Sequence, residues 1–323
     1  YLIIMIHRQE KESNFNYKLN NRDVVIQTPD GKELLRLPAS IFVVEAEQLL
    51  KAINENDGAF SIPQTEAFMN RIYCHSLKAK SVDKTDIRII LHDRRTKINS
   101  EMGFSIKSQL GGDSTLLNAS KATNFNFKIH DVILSDEDIA YVNSLNPKRN
   151  KVINRVNAIK QKGGKLVFDK VDNPTFRNNL VMLDGDLQSI IANLLLEQLN
   201  SGISTLTELS EQITKTNPLG FDTKQTSPFY DYKIKHLLTS APLGLMTATA
   251  WNGKFDANGG YLIVKKDGEI LCYHFYDRNR FEDYLFSNAY LERSSTSRHE
   301  YASIIKECDG TLSFKLNFQV RLK

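Results

Sequence analysis

The sequence predicts an α/β (α+β) protein, a mixed sheet flanked by helices and followed by a second α/β region, and three observations carry that prediction. Apolar residues recur at helical spacing over residues 40–56, 184–200 and 205–215. They alternate with polar ones, at the period of two that marks a half-buried strand, over 86–93, 102–110, 124–130 and 259–276. With 41% apolar residues in 323, the chain can fill a core without covalent staples.

The elements follow in order. The opening run LIIMI is apolar but far short of the ~20 residues a membrane span requires, and too short for a complete signal peptide. SIFVVEAEQLLKAINEN (40–56) is a helix that stops at Asn-Asp-Gly. A short strand, AFSIP, leads to Pro63-Gln64-Thr65, which opens a second helix through TEAFMNRIYCHSL. DIRIILHD and MGFSIKSQL are strands folded as a hairpin about residues 94–101. TLLNASKA reads as a short helix and NFNFKIH as a strand, and the first part closes near residue 145.

Residues 146–323 form the second part, entered through the polar, Pro-containing link NPKRNK. Two amphipathic helices separated by Ser-Gly come first (184–200 and 205–215). GGYLIVKKDGEILCYHFY follows as two alternating runs joined at Lys266-Asp267-Gly268, a hairpin turn because Asp-Gly tolerates positive φ. FEDYLFSNAYL reads as a helix and LSFKLNFQVRL as a closing strand.

Composition narrows the classes. Three cysteines, Cys74, Cys272 and Cys308, lack metal-ligand spacing and argue against a disulfide framework, so a soluble protein of the reducing cytoplasm, with no membrane partner, is expected. Net charge is +4, from 42 basic and 38 acidic residues, which permits DNA binding without demanding it. Basic residues cluster at Lys148, Arg149 and Lys151, at Lys160, Lys162 and Lys165, and at Arg293, Arg298 and His299. The last group is interleaved with Ser and Thr, a mixture suited to phosphate contacts. No Gly-Lys-Ser/Thr ending follows Gly111-Gly112 or Gly163-Gly164, so nucleotide hydrolysis is not indicated.

The chemistry concentrates between Lys84 and Gln109. Asp86 opens one strand, and Ser105-Ile106-Lys107 on the next puts Ser105 and Lys107 on one face. A hairpin about 94–101 sets position 107 opposite 88 and 109 opposite 86, with Asp86 and Lys107 diagonal across the ladder. Phosphodiester hydrolysis needs a divalent cation to polarise the phosphate and a positive side chain beside the nucleophile. A carboxylate at a strand edge with acid-x-Lys on the neighbouring strand supplies these parts. That arrangement resembles the PD-(D/E)XK nuclease core, with one departure: Ser105 stands where the second acid is expected. Glu101 shares the parity of Lys107 but lies ~20 Å away along the strand. Glu47, Asp113 and Glu45 are candidate donors of the missing carboxylate, each with an ordinary surface role as its alternative. Asp93 is the rival aspartate on the first strand, and a turn residue by default.

The wider text resembles the HpaII family of type II restriction endonucleases. The stretches concerned are AKSVDKTDI, GFSIKSQLGGDSTLLNASKATNF, GGYLIVKKDGEILCYHFYDRNRFEDYL, SSTSRHEY and KLNFQVR, spread over the last three quarters of the chain. The resemblance implies a Mg2+-dependent endonuclease cutting duplex DNA at a short palindrome, CCGG being the family's type target, with a cognate DNA methyltransferase in the same system and a homodimer as one way to meet a palindrome. On it, Asp86, Ser105 and Lys107 are catalytic, and Asp86 and the Ile106 carbonyl hold the metal. Gln109, Asn118, Lys121, Asn252, Lys254, Arg293, Ser295, Arg298 and His299 are the candidate DNA contacts. Relatives carry a further N-terminal segment with a glutamate-bearing helix, so a longer parent protein is expected. Two alternatives stay open: a DNA-binding protein without cleavage, and a repair-type nuclease of the same core without sequence preference.

Overall fold

The computed structural model describes residues 2–7, 15–56, 61–75, 85–92, 95–110, 113–147, 150–222, 224, 226–265, 267–274 and 277–323. In chain order the first elements are β1 Leu2–His7, β2 Asn16–Asn20, β3 Asp23–Gln27, β4 Glu33–Pro38, α1 Ala39–Glu55, α2 Pro63–Arg71, β5 Ile87–His92 and β6 Asn99–Ser108. Next come β7 Ser114–Leu117, a 3-10 turn at Lys121–Thr123, β8 Asn124–His130, α3 Asp136–Ser144, α4 Lys151–Gln161, β9 Lys165–Val171, α5 Pro174–Leu183, α6 Leu187–Ser201, α7 Leu206–Thr216 and α8 Phe229–Leu243. The chain continues through β10 Gly260–Val264, β11 Ile270–His274, α9 Arg278–Asn288, β12 Ala289–Leu291, α10 Thr296–His299, β13 Ile304–Lys306, β14 Leu312–Asn317 and β15 Val320–Leu322.

These elements form two compact units. The first comprises residues 1–114, 242–244 and 255–281, and the second 115–241, 245–254 and 282–323. This division differs from the single boundary expected near residue 145, and strand pairing explains why. The β10–β11 hairpin, distant in sequence, extends the sheet that holds β5 and β6. NFNFKIH, expected in the nuclease core with the β5–β6 hairpin, pairs instead with β14 and β9.

In the first unit a five-stranded mixed sheet runs β1-β5-β6-β10-β11. Only the β6–β10 pair is parallel. A separate meander, β2-β3-β4, packs Ile26 and Leu37 against Ile72 after α2, with Ile41 and Phe42 of α1 and Phe68 of α2 closing the cluster. Pro63 starts α2, where a missing N–H costs nothing. The expected strand AFSIP falls partly outside the described residues, and residues 61–62 are not strand.

The second unit builds a four-stranded sheet, β13-β14-β8-β9, and a three-stranded one, β12-β15-β7. Its core takes Phe125 and Phe127 of β8, Phe314 of β14, Phe318, and the apolar faces of α6 and α7. TLLNASKA is a strand and a 3-10 turn, not the expected helix: Ser120 accepts from the Ala122 N–H and stops any longer run. The expected helix 281–291 ends at Asn288 and passes into β12, while the closing strand breaks between β14 and β15 at Phe318-Gln319. Among the described residues no helix is long and apolar enough to cross a membrane.

Candidate active site

Two glycines decide how tightly the central strands of the first unit meet. A Cβ on Gly103 would stand 2.7 Å from the Asp256 carbonyl oxygen and 2.8 Å from the Thr85 side chain; one on Gly259 would stand 2.6 Å from the Phe104 ring. Without side chains the backbones join directly. The Gly259 N–H donates to the Gly103 carbonyl at 2.7 Å, and the Gly103 N–H to Asn258 Oδ1 at 2.8 Å. The parallel register this starts puts Tyr261 beside Ser105 and Ile263 beside Lys107.

On the other side of β6, Ile87 pairs with Phe104 and Arg88 with Gly103. The register therefore differs from the expected one, which placed 88 opposite 107. The turn is centred earlier in the polar stretch, with Lys97 in the left-handed region at φ 60°, and β6 starts already at Asn99. The slip changes which groups meet. Asp86, whose N–H donates to the Phe104 carbonyl at 2.9 Å, comes directly alongside Ser105. Its Oδ2 accepts from Ser105 Oγ at 3.1 Å and from the Ile106 N–H at 2.6 Å. Serine at this position is thus a donor to the aspartate, where a second carboxylate would set like charges side by side.

A strand residue's N–H and C=O point to the same neighbour. The Ile106 carbonyl consequently shares the Asp86 side of β6, while its side chain is exposed on the opposite face from Ser105 and Lys107. Lys107 Nζ lies 5.9 Å from the centre of the Tyr261 ring. Burial pulls the Lys107 pKa down from its ordinary value, and the Asp86 charge opposes that pull. Tyr261 is fully buried, edge-on to Phe281 at 5.1 Å, and its hydroxyl has no hydrogen-bond partner among the described residues. Its pKa is driven well up, first by burial and then by Asp86. Asp86, Ser105, Lys107 and Tyr261 thus form one cluster. Sequence reasoning missed Tyr261 and Asn258, though the Asn-Gly-Gly-Tyr run signalled a close backbone approach.

The remaining acids stand apart. Glu101 is engaged by Arg88 at 3.0 Å. Glu47 is exposed on α1 and Asp113 is exposed after β6, whereas Glu45 has a buried Oε2 without a partner among the described residues. Asp93 lies outside the described residues, among which no group of three or more His, Cys, Asp or Glu gathers. The described cluster offers a cation one carboxylate and one carbonyl. That fits a hard ion that keeps several waters and takes one or two carboxylates.

Of the expected DNA contacts, Gln109 is in the first unit, its N–H donating to the Val264 carbonyl at 2.8 Å. The others are in the second. Asn118 is exposed after β7, and Lys121 is paired with Glu300. Asn252 uses its side chain to accept from the Lys254 N–H at 2.9 Å, in a turn where Trp251 donates to the Lys254 carbonyl. Ser295 caps α10, whose last residues are Arg298 and His299. Burial and the adjacent Arg298 hold the His299 pKa down. Arg293 and Ser295 share the wall of one cavity with Lys151.

Comparison with known proteins identifies the lineage. The family model described as HpaII restriction endonuclease matches residues 1–322. The type II restriction enzyme HpaII of Haemophilus parainfluenzae is 41% identical over 321 residues, covering 99% of this chain and 88% of that protein. No solved structure matches. The chain belongs to the HpaII restriction endonuclease family.

Proposed function

We propose that this chain is a Mg2+-dependent type II restriction endonuclease that cuts duplex DNA at a short palindrome, CCGG being the target the family suggests. The observation that carries the reading is the convergence of Asp86, Ser105 and Lys107 at the start of the parallel β6–β10 pair. The strand order β1-β5-β6-β10, antiparallel but for the last pair, supports a PD-(D/E)XK core.

Asp86 and the Ile106 carbonyl would hold Mg2+, with Glu47 or Asp113 as proposed donors of a further carboxylate. Bound there, the ion would polarise the scissile phosphate and acidify water. Ser105 and the Ile106 N–H orient Asp86 through Oδ2, leaving Oδ1 without a hydrogen bond among the described residues. Lys107, raised on the Tyr261 ring, places a positive charge where the attacking oxygen and the developing phosphate charge need it. Gln109 and the expected contacts of the second unit would grip the duplex, with Arg or Lys reading guanine edges. A cognate methyltransferase would protect host sites, a homodimer would match a palindrome, and the reducing cytoplasm is the proposed location.

Incubation with plasmid DNA tests this. Discrete fragments in Mg2+, abolished by a chelator and ending in one palindrome, are expected. Intact plasmid despite DNA binding would mean a binder that does not cut, and a smear would mean a nuclease without sequence preference; either overturns the proposal.

A further inference from the structure

The second unit carries a cavity of about 580 Å³ that is built from two stretches nearly 150 residues apart in sequence. Asn146, Asn150 and Lys151, between α3 and the first turn of α4, form one wall, and Arg293, Ser295 and Thr296, between β12 and α10, form the other. No carboxylate lines it.

The surrounding charges are unbalanced. Several lysines and arginines of this unit meet acids: Lys162 meets Asp138 at 2.5 Å, Lys233 meets Asp184 at 2.6 Å, Lys315 meets Asp172 at 2.5 Å, and Arg321 meets Glu292 at 2.6 Å. Lys151 and Arg293 have no such partner among the described residues. Among the described residues Arg293 makes a 3.3 Å contact from Nη2 to the Gln198 carbonyl, and its buried Nε has no acceptor there. One turn along α4 from Lys151, Arg155 is buried and donates to the carbonyls of Leu145, Ala302 and Asn143 and to Ser303 Oγ. It is not part of the cavity lining, but through these bonds it fixes the chain next to both walls. Burial lowers the pKa of Lys151, Arg155 and Arg293, and Arg155 lowers that of Lys151 further.

Lys151 and Arg293 are half-buried on facing walls, and two partly desolvated cations without an acid favour an anion between them. Ser295 and Thr296 hydroxyls and the Asn146 and Asn150 amides add neutral donors at the same mouth, the mixture that binds phosphate oxygens. The volume exceeds what an ion alone needs and admits a phosphate with its sugar. We propose that this cavity is a phosphodiester-binding site, gripping a backbone phosphate of the duplex. This rests on the reading of the chain as a DNA-cutting enzyme.

The test is a salt titration of binding by the full chain. A fluorescent duplex carrying CCGG is titrated without Mg2+ between 50 and 300 mM KCl, with Lys151→Gln and Arg293→Gln beside the wild type. Each phosphate contact contributes about 0.9 to the slope of log K against log salt. Each variant should lose roughly that much slope and bind several-fold more weakly, and fragments cut in Mg2+ by Lys151→Gln should keep the same ends. Lys151→Gln touches no internal hydrogen bond, so it answers even if Arg293→Gln folds poorly. Unchanged slopes in both variants, with normal wild-type binding, would overturn the proposal and leave the enzyme reading intact. A wild type that binds no duplex would overturn both. Titration with inorganic phosphate separates the other source of the same chemistry: a rise in Tm lost in Lys151→Gln, with no change in DNA slope, would assign the cavity to free phosphate and contradict a duplex contact.

Discussion

The aspartate of the candidate site is held by a neighbour that the sequence presents as a defect. Ser105 looked like the loss of an acid, yet its hydroxyl donates to Asp86 and leaves one carboxylate oxygen clear. Removing it should therefore weaken the site without destroying it. Ser105→Ala is expected to slow cleavage by about tenfold, corresponding to ~1.4 kcal/mol, because the Ile106 N–H still anchors Oδ2. Asp86→Ala should cost at least about a thousandfold, a loss on the scale of a removed transition-state donor. Initial rates on a plasmid substrate check both, and a Ser105→Ala loss as deep as that of Asp86→Ala would show that the hydroxyl does more than orient. The residue types were legible in the sequence. Their partners were not, because the turn between β5 and β6 had to be placed to within two residues before Asp86 could be paired with Ser105 and not with Gln109.

At the level of elements, regular and strongly periodic pieces were readable. The helices at 40–55, 187–201 and 206–216, the Asp-Gly hairpin and the strand at 124–130 all formed where their patterns indicated. The failures share a cause: pairing between strands distant in sequence, which local periodicity does not encode. Residues 114–117 became a strand because β15 offered them an edge, and GGYLIV joined β6 because two glycines let the backbones touch. Gly259→Ala is the sharpest test of the latter. A methyl group there must displace the Phe104 ring and the Gly103 carbonyl, so urea denaturation should show a loss of about 1–3 kcal/mol together with depressed cleavage. An unchanged midpoint would mean that the close approach is not needed. Arg155 makes a second test in the other unit. Arg155→Met strands carbonyls that lose their donor, and a loss of about 3 kcal/mol is expected, again read from the denaturation midpoint.

Over the whole molecule, net charge says little, since +4 spread across 323 residues is close to balance. Placement says more. The Asp86–Lys107 cluster lies in the unit made by residues 1–114, 242–244 and 255–281, and the acid-free cationic cavity lies in the other. Cutting and gripping should then be separable by mutation. Variants of the cluster should lose cleavage while keeping affinity, and variants of the cavity should lose affinity and salt dependence while keeping the cut position. The measurement that bears most directly on the central claim is a paired assay of Lys107→Ala: duplex binding without Mg2+ and plasmid cleavage with it. Affinity within about threefold of the wild type and cleavage lowered by about a hundredfold or more are expected. Discrete cutting at the wild-type rate by Lys107→Ala would contradict that claim and move the active site elsewhere in the chain.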